Sequence, residues 1–377
     1  DDFGFFGSED ELFAEVEETE GAVGASLLVY DSVRVGGSVS GSATASWTWN
    51  DPWGGVILTD FDDYALDPAL SATLFFDARP AEGTRFYGSM KSSWPFETSK
   101  TFLTGTQPGE AASVTQVNMK VFELFTDFNW DDALFFRFGK QTINWGVGYF
   151  FSPANVMNLE AIDPFDTGRQ LEGPVSLRAH YPVPGSQHNL WAYAVFDSPD
   201  MKPEDLAVAA KAELVFGAWE FGLGGKYQYD EPLRGVLTAS GSIDRVTLFG
   251  EGYLARGSDK AFVTSVSILN APPTFTQTET YDDRLFLKGS GGFMWNQSDW
   301  KLTVAGQYLY DGEGYADAER EKLISQARAI IASNEDIGTP VFKYLIYGSG
   351  RHYAALSVSK GELFVEEIGR ASCRERV

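Results

Sequence analysis

Histidine and cysteine are sparse in this chain, and their spacing does not suggest a catalytic or metal centre. The histidines are His180, His188 and His352, and the single cysteine is Cys373. No H-E-x-x-H pair, G-x-S-x-G elbow or Walker loop occurs. A hydrolase needs a nucleophile beside a histidine, whereas His180 is better explained as a lining side chain. We therefore expect no enzyme activity, no catalytic residue, no metal and no cofactor.

Acidic residues dominate the charge of the 377-residue chain. With 53 Asp and Glu against 29 Lys and Arg, the formal net charge is −24. That balance excludes a nucleic-acid binder that works by neutralising phosphates. The cluster Asp60, Asp62, Asp63 and Asp67 has cation-binding residue types without the spacing of a calcium loop. Solvated loop acids are therefore favoured, and a loop-bound divalent cation is the alternative.

Residues 139–158, GKQTINWGVGYFFSPANVMN, form the segment richest in glycine, aromatic and amide side chains. Its pattern of Gly-Lys-Gln, three residues, Trp-Gly, then Phe-x-Pro and Asn resembles a segment of porin-like β-barrels from double-membraned bacteria. The resemblance implies membrane location and passive transport, and it implies no substrate. A loop here that packs inside would narrow a pore, and a loop folded over the rim is the alternative. The candidate constriction residues are Trp145, Tyr149, Asn155, Asn158 and Arg169.

Strict alternation of residue types predicts the elements that position this segment. In 33–49 one set of alternate residues is Val, Ala, Gly and Trp while the other is Ser, Thr, Gly and Arg, and 219–230 sorts in the same way. Such a period of two indicates strands with two different faces. Further strands are predicted at 69–79, 84–94, 116–129, 133–143, 173–181, 188–197, 207–216, 234–241, 244–256, 284–296, 300–310 and 350–358.

Short and long connections alternate between these strands, as in chains that cross a membrane back and forth. No apolar run of about 20 residues is present, which excludes a transmembrane helix. We therefore predict an all-β, transmembrane, antiparallel up-and-down β-barrel. About fourteen to fifteen of sixteen or more strands would be present, because bacterial barrels usually have an even number. A soluble sandwich or propeller is the alternative.

Tryptophans gather where the predicted strands end, which favours two interfacial aromatic girdles. The predicted girdle consists of Trp47, Trp49, Trp94, Trp130, Trp191, Trp219, Trp295 and Trp300.

Charged side chains on the polar face would line the barrel and set its ion preference, with a weak tilt toward anions. Assigned by alternation, the lining candidates are Arg34, Arg85, Lys91, Arg137, Arg178, His180, Lys211, Glu213, Glu220, Lys226, Glu251, Arg284, Lys288 and Lys301.

Three regions fall outside this strand pattern. Residues 1–31 are predicted as an acidic periplasmic lead-in or plug before a barrel at 32–366, and 317–332 as a helix in the longest loop. The tail 367–377, EIGRASCRERV, resembles translated sequencing adapter and is expected to be non-native, with the natural chain continuing past Glu366.

The sequence favours an outer-membrane porin that passes small polar solutes by diffusion, with the N-terminus in the periplasm. Its partners would be outer-membrane lipid and those solutes, with no nucleic acid, and a homo-oligomer is left open. A transporter for hydrophobic substrates and a surface adhesin or scaffold with long loops are the alternatives. A barrel enzyme is the least favoured interpretation.

Overall fold

The computed structural model describes residues 22–30, 32–47, 64–96, 98–101, 112–115, 119–159, 162, 170–196, 202–267, 276–331 and 349–361. Within these residues, fifteen strands form one sheet in the order β1-β2-β3-β4-β7 and then β8 to β17. Neighbouring strands pair antiparallel from β1 to β4 and from β8 to β17. A separate hairpin, β5-β6, lies in the chain between β4 and β7. The predicted all-β, antiparallel up-and-down architecture is confirmed.

The strands vary widely in length. Their bounds are β1 Ala22–Tyr30, β2 Val33–Trp47, β3 Tyr64–Ala81, β4 Thr84–Trp94, β5 Thr98–Thr101, β6 Ala112–Thr115, β7 Met119–Trp130, β8 Leu134–Lys140, β9 Val175–Pro182, β10 Asn189–Phe196, β11 Leu206–Phe216, β12 Trp219–Tyr227, β13 Leu233–Ile243, β14 Val246–Val266, β15 Thr276–Gln297, β16 Leu302–Asp311 and β17 His352–Lys360.

Tight turns and longer connections alternate along the chain, as the sequence predicted. The turns after β3, β11 and β13 are only two residues long, and they use the left-handed backbone at Gly83, Gly217 and Asp244. Glycine adopts that conformation without steric cost, and aspartate tolerates it. The connection at 228–232 is the short exception among the long ones.

The chain divides into two compact units. In the first, which includes residues up to Thr126, β2, β3 and β4 carry Arg34, Asp77 and Arg85 on one face. Arg85 donates to both carboxylate oxygens of Asp77, at 3.0 and 3.3 Å. Exposed apolar side chains occupy the other face, namely Leu66, Leu70, Leu74 and Phe86.

The second unit, Asp127–Leu363, has a more extensive sheet whose two faces differ sharply. One face, called the packed face here, carries buried residues: Tyr193, Lys211, Thr238, Glu251 and Gln307. The opposite face, called the open face, carries exposed leucines at positions that alternate with these: Leu190, Leu223, Leu237, Leu254 and Leu356. Because consecutive strand residues point to opposite faces, the antiparallel register keeps both sets separate from strand to strand.

One α-helix, α1 (Asp317–Ile331), lies in the connection between β16 and β17 and confirms the helix predicted at 317–332. Its Leu323 and Ala327 are buried against Phe262 and Phe286 of β14 and β15. The side chains of Ile330 and Ile331, which the sequence placed on the same face, lie outside the described residues. No helix in the described ranges is long and apolar enough to cross a membrane.

The structure has strands at two places where the sequence predicts none. β1 lies within the segment 1–31, where no strand was predicted, and β5 and β6 lie within a predicted loop. β1 escaped prediction because its sequence, AVGASLLVY, does not alternate cleanly, and its pairing with β2 contains a bulge between Ser26 and Leu28. Residues 1–21 and the suspected tail 367–377 lie outside the described residues.

Candidate functional site

The segment from Gln141 to Leu159, called the inner segment here, follows β8 and lies against the packed face. Its backbone bonds to side chains of β11, β14 and β16, namely Lys211, Glu251 and Gln307. These partners lie far away in the sequence, so the segment is held by the wall of the sheet. The structure therefore places the inner segment on the packed face.

Glu251 is the most heavily engaged of these anchors. Its carboxylate accepts from the amides of Val147 at 2.6 Å, Gly148 at 2.5 Å and Ala154 at 2.8 Å, and from the Ser152 hydroxyl at 2.9 Å. The residue is only 6% exposed. Four donors directed at one buried carboxylate compensate for its lost hydration, because hydrogen bonds to a charged acceptor are roughly twice as strong as neutral ones.

Gln307 and Lys211 add two further attachments. The Gln307 side-chain oxygen accepts from the amides of Phe150 at 2.7 Å and Phe151 at 3.1 Å, and its amino group donates to the carbonyl of Phe151 at 2.6 Å. The Lys211 ammonium donates to the Trp145 carbonyl at 3.3 Å and forms an ion pair with Glu213 at 2.7 Å. Backbone groups that have no strand partner are therefore satisfied by the wall.

Glycine is required where the inner segment folds back on itself. A Cβ atom on Gly146 would lie 1.6 Å from the Ser152 hydroxyl, and one on Gly148 would lie 1.9 Å from the Phe151 carbonyl. On the wall, a Cβ at Gly224 of β12 would meet the Trp145 ring at 2.9 Å. The glycines of this motif thus allow the close backbone approach that the anchors need.

Apolar packing complements these hydrogen bonds. Ile143, Trp145 and Met157 of the inner segment are at most 4% exposed and form one cluster with the wall. The wall side of the cluster consists of small or flat residues: Tyr193, Val195, Ala207, Ala209, Val236, Tyr253 and Ala255. Alanines there leave room for the indole of Trp145, which meets the Tyr193 ring edge-on at 5.7 Å.

The remaining constriction candidates have separate positions. Asn158 accepts from the Ile143 amide at 2.9 Å and donates to Asn155 at 3.0 Å, so both asparagines hold the fold of the segment. Tyr149 is 37% exposed and packs edge-on against Phe150. Trp145 is buried. Arg169 lies outside the described residues.

Most of the predicted lining charges share the face that holds the inner segment. In the second unit the strand register places these on the packed face: Arg137, Arg178, His180, Lys211, Glu213, Glu220, Lys226, Glu251, Arg284 and Lys288. In the first unit, Arg34, Arg85 and Lys91 share the face of Asp77. Lys301 differs, because it is exposed in a turn with φ 46° just before β16 begins. The 3-10 turn Ser298–Trp300 shifts the start of the strand beyond it.

The part of the packed face nearest the tight turns carries a stacked aromatic and basic cluster. The His180 and Trp191 rings lie parallel with centroids 3.7 Å apart, and the guanidinium of Arg178 lies 5.2 Å from the Trp191 ring. The Trp191 indole donates to Glu213 at 3.0 Å. Arg137, opposite Arg178 in the register, donates to both oxygens of Asp127. The cluster therefore combines two guanidinium groups, those of Arg137 and Arg178, with the carboxylates of Asp127 and Glu213.

The tryptophan prediction needs one correction. Trp191 is on the packed face beside Lys211, so it does not belong to an outward aromatic girdle. The preference of indole for strand ends does not determine on which face of a strand the side chain lies. Trp130 and Trp219 lie on the open face at strand ends. Trp295 also lies on the open face, opposite Val246 and Val304, and Trp300 is exposed in a turn.

The other girdle candidates lie in the first unit. Trp94 ends β4, is exposed and lies opposite Leu70. Trp47 ends β2. The side chain of Trp47 and all of Trp49 lie outside the described residues.

A cavity of about 590 Å³ opens between the inner segment and the wall on the side of the long connections. Its charged lining comes from β13 to β16 and from the turn just after β16, and it consists of Arg234, Asp259, Lys260, Lys288, Asp311 and Glu313. Arg234 also lies 3.5 Å from Glu231, in the connection before β13. Burial is the main cause that raises the pKa of the Glu231 carboxyl. A hydrogen bond with Asp259 and the negative charge of Asp259 raise this pKa further.

Several of these residues were missed in the sequence, and the signal for some was present. Gln307 lies in 300–310 at a position that alternation assigns to the polar face, so its place in that pattern is the signal for it. Lys260 and Glu313 lie beyond the predicted strand ends, where alternation gave no guidance.

Among the described residues, no group of His, Cys, Asp and Glu is arranged to hold a metal ion. Asp60, Asp62 and Asp63 lie outside those residues.

Solved structures with a similar arrangement of strands come from bacteria. Salmonella typhi OmpF in complex with daunomycin matches over 74% of this chain and 78% of its own, with 10% identity and a TM-score of 0.43. OmpTdeltaL8, an outer membrane protein of Vibrio cholerae, matches over 74% of this chain and 82% of its own, with 11% identity and a TM-score of 0.42. Acinetobacter baumannii OccAB1 matches over 80% of this chain and 70% of its own, with 14% identity and a TM-score of 0.41. No protein-family model matches the sequence, and no curated protein matches it either.

Proposed function

We propose that this chain is an outer-membrane channel that passes small polar solutes by passive diffusion. The observation that carries the proposal is the inner segment, which is anchored on the packed face by Glu251 and Gln307. In a closed barrel, a segment in this position would reduce the cross-section of the lumen. The proposal therefore assigns the packed face to the water-filled interior and the inner segment to its constriction.

The open face supports a membrane location. Its leucines are largely exposed, for example Leu223 at 61% and Leu356 at 71%. Soluble monomers rarely leave such a continuous apolar surface in water. A transmembrane barrel directs a band of this kind toward lipid and keeps polar residues inside. Outer-membrane lipid is therefore the partner that we propose for the open face.

The polar composition of the packed face favours hydrophilic solutes over hydrophobic ones. The partly buried ionic groups of this face include Arg178, Glu220 and Lys288. A path for a hydrophobic substrate would need a continuous apolar lining, whereas the apolar cluster around Trp145 is filled by the inner segment itself. Side chains of both charge signs orient polar solutes and give a modest ion selectivity. We propose that this selectivity weakly favours anions.

The experiment that tests this function is conductance in planar bilayers. The protein, refolded in detergent, should produce discrete steps in current whose size scales with salt concentration. A stably inserted protein without such steps would refute the channel and favour the adhesin or scaffold. Native mass spectrometry of the same sample would test the homo-oligomer, and protease access to an N-terminal tag in intact cells would test the periplasmic N-terminus.

A further inference from the structure

The cavity beside the inner segment has the size and the mixed lining of a small-molecule site. Its volume of about 590 Å³ falls within the range of roughly 300–1,000 Å³ that is common for ligand pockets. Phe151, Pro153 and Val156 of the inner segment and Leu309 of β16 supply its apolar lining. Ligand sites commonly combine such a lining with a few convergent polar groups.

Lys260 is the cation in this cavity with unused donors. Its ammonium donates to the carbonyl of Glu313 at 3.0 Å and lies 5.3 Å and 5.1 Å from the rings of Phe262 and Tyr315. Among the described residues it makes no ion pair with a carboxylate, whereas Arg234 and Lys288 are paired with Asp259 and with Glu313. An ammonium has three donors, so Lys260 retains capacity for an anionic group.

Asp311 supplies the complementary charge. Its Oδ1 atom accepts from the Glu313 amide at 3.0 Å and lies 3.4 Å from the Lys288 ammonium. Its Oδ2 atom has no hydrogen bond with the residues that the structure describes. The side chain is 23% exposed, so a solute in the cavity can reach it. One free acceptor and one cation with free donors therefore line the same space.

The geometry points to a binding site for small zwitterions of the amino-acid type that carry an apolar side chain. The solute carboxylate binds Lys260, its ammonium binds Asp311, and its side chain rests on Phe151, Val156 and Leu309. A monoanion would meet the nearby carboxylates of Asp311 and Glu313, and a monocation would meet Lys260 and Lys288. The site lies in the path of the proposed channel. Binding at the site does not depend on the proposed function, whereas a role of the site in transport does.

Equilibrium binding to the detergent-solubilised full chain tests the site without requiring conduction. The probes are L-leucine, 4-methylpentanoate, which lacks the ammonium, 3-methylbutylamine, which lacks the carboxylate, and glycine, which lacks the apolar group. L-leucine should bind at least about tenfold more tightly than each of the others, since every analogue loses one of the three contacts. Equal binding of leucine and either singly charged analogue would overturn the proposal.

Two variants assign the site to Lys260. K260Q should weaken leucine binding about tenfold, whereas K202Q, which removes the same charge from an exposed loop position, should leave it unchanged. Leucine binding that survives K260Q would also refute the site. If conductance is seen without leucine binding, the site fails and the channel stands. If leucine binds and no conductance is seen, the channel fails and the site stands.

Discussion

The carboxylate of Glu251 lies 2.6 Å from the amide nitrogen of Val147, although 104 residues separate the two in the chain. This contact joins a strand of the wall to a segment without regular secondary structure. Three further donors of the same segment meet the same carboxylate. The wall thus acts as the template on which the inner segment folds, and Glu251 is the residue whose loss should disturb that arrangement most.

We predict that E251Q loosens the inner segment. A glutamine amide has one acceptor oxygen and presents an NH₂ group to backbone donors, so at least one buried N–H loses its partner at a cost of roughly 1–3 kcal/mol. The expected result is a larger and noisier single-channel conductance and a lower midpoint of unfolding in urea. E220Q is the matched control, because Glu220 shares the packed face and makes no hydrogen bond to the inner segment in the described structure. Unchanged current noise in E251Q would contradict the anchoring role.

The stability of the inner segment should be as sensitive to substitution of Gly148 as to substitution of Glu251. The Cβ atom of G148A would lie 1.9 Å from the Phe151 carbonyl and 2.8 Å from the Gln307 amino group, so the backbone has to shift. Overpacking of this kind costs typically about 1–3 kcal/mol, which should appear as a lower midpoint of unfolding. In G235A the nearest atom would be 3.9 Å away, so that variant should unfold like the parent. Equal stability of the two variants would argue against the tight turn.

Local patterns predicted much of this architecture, since alternation within a strand separates a polar set of residues from an apolar set. The alternation assigns Lys211, Glu251 and Lys288 to the polar set, and the strand register places all three on the packed face. Trp191 was misassigned, because the preference of indole for strand ends says nothing about the face on which it lies. The helix α1 was recognised from its helix-forming residues and its apolar periodicity.

The attachment of the inner segment could not be predicted in the same way. The contact between Gly148 and Glu251, and that between Phe150 and Gln307, depend on how distant strands meet in space. The sequence of 139–158 showed glycines and amides suited to close packing, but it contained no signal for their partners. Long-range contacts of this kind emerge only once the strand register has been established.

The two faces of the second unit can be distinguished by fluorescence in brominated lipid. Trp219 lies on the open face beside Phe221, whereas Trp191 lies on the packed face against His180. Bromine quenches indoles that contact acyl chains, so W219F should reduce the quenchable share of the emission and W191F should not. The two substitutions remove the same chromophore, and each therefore serves as the control for the other. A larger loss of quenching in W191F would mean that the faces have been assigned in reverse.

Ion selectivity should respond to Lys288, whose ammonium lies 2.6 Å from Glu313 and 3.4 Å from Asp311. K288Q leaves both carboxylates without this partner and adds net negative charge to the proposed path. Two unit charges about 4 Å apart in water interact by about 1 kcal/mol, so passing cations should be favoured by up to a few-fold. The reversal potential in a salt gradient should therefore shift toward cation preference, and more strongly at low salt because screening is weaker. K360Q removes the same charge from the exposed end of β17, on the open side of the strand, and should leave the reversal potential unchanged. A shift of equal size in both variants would show that Lys288 does not face the conducting path.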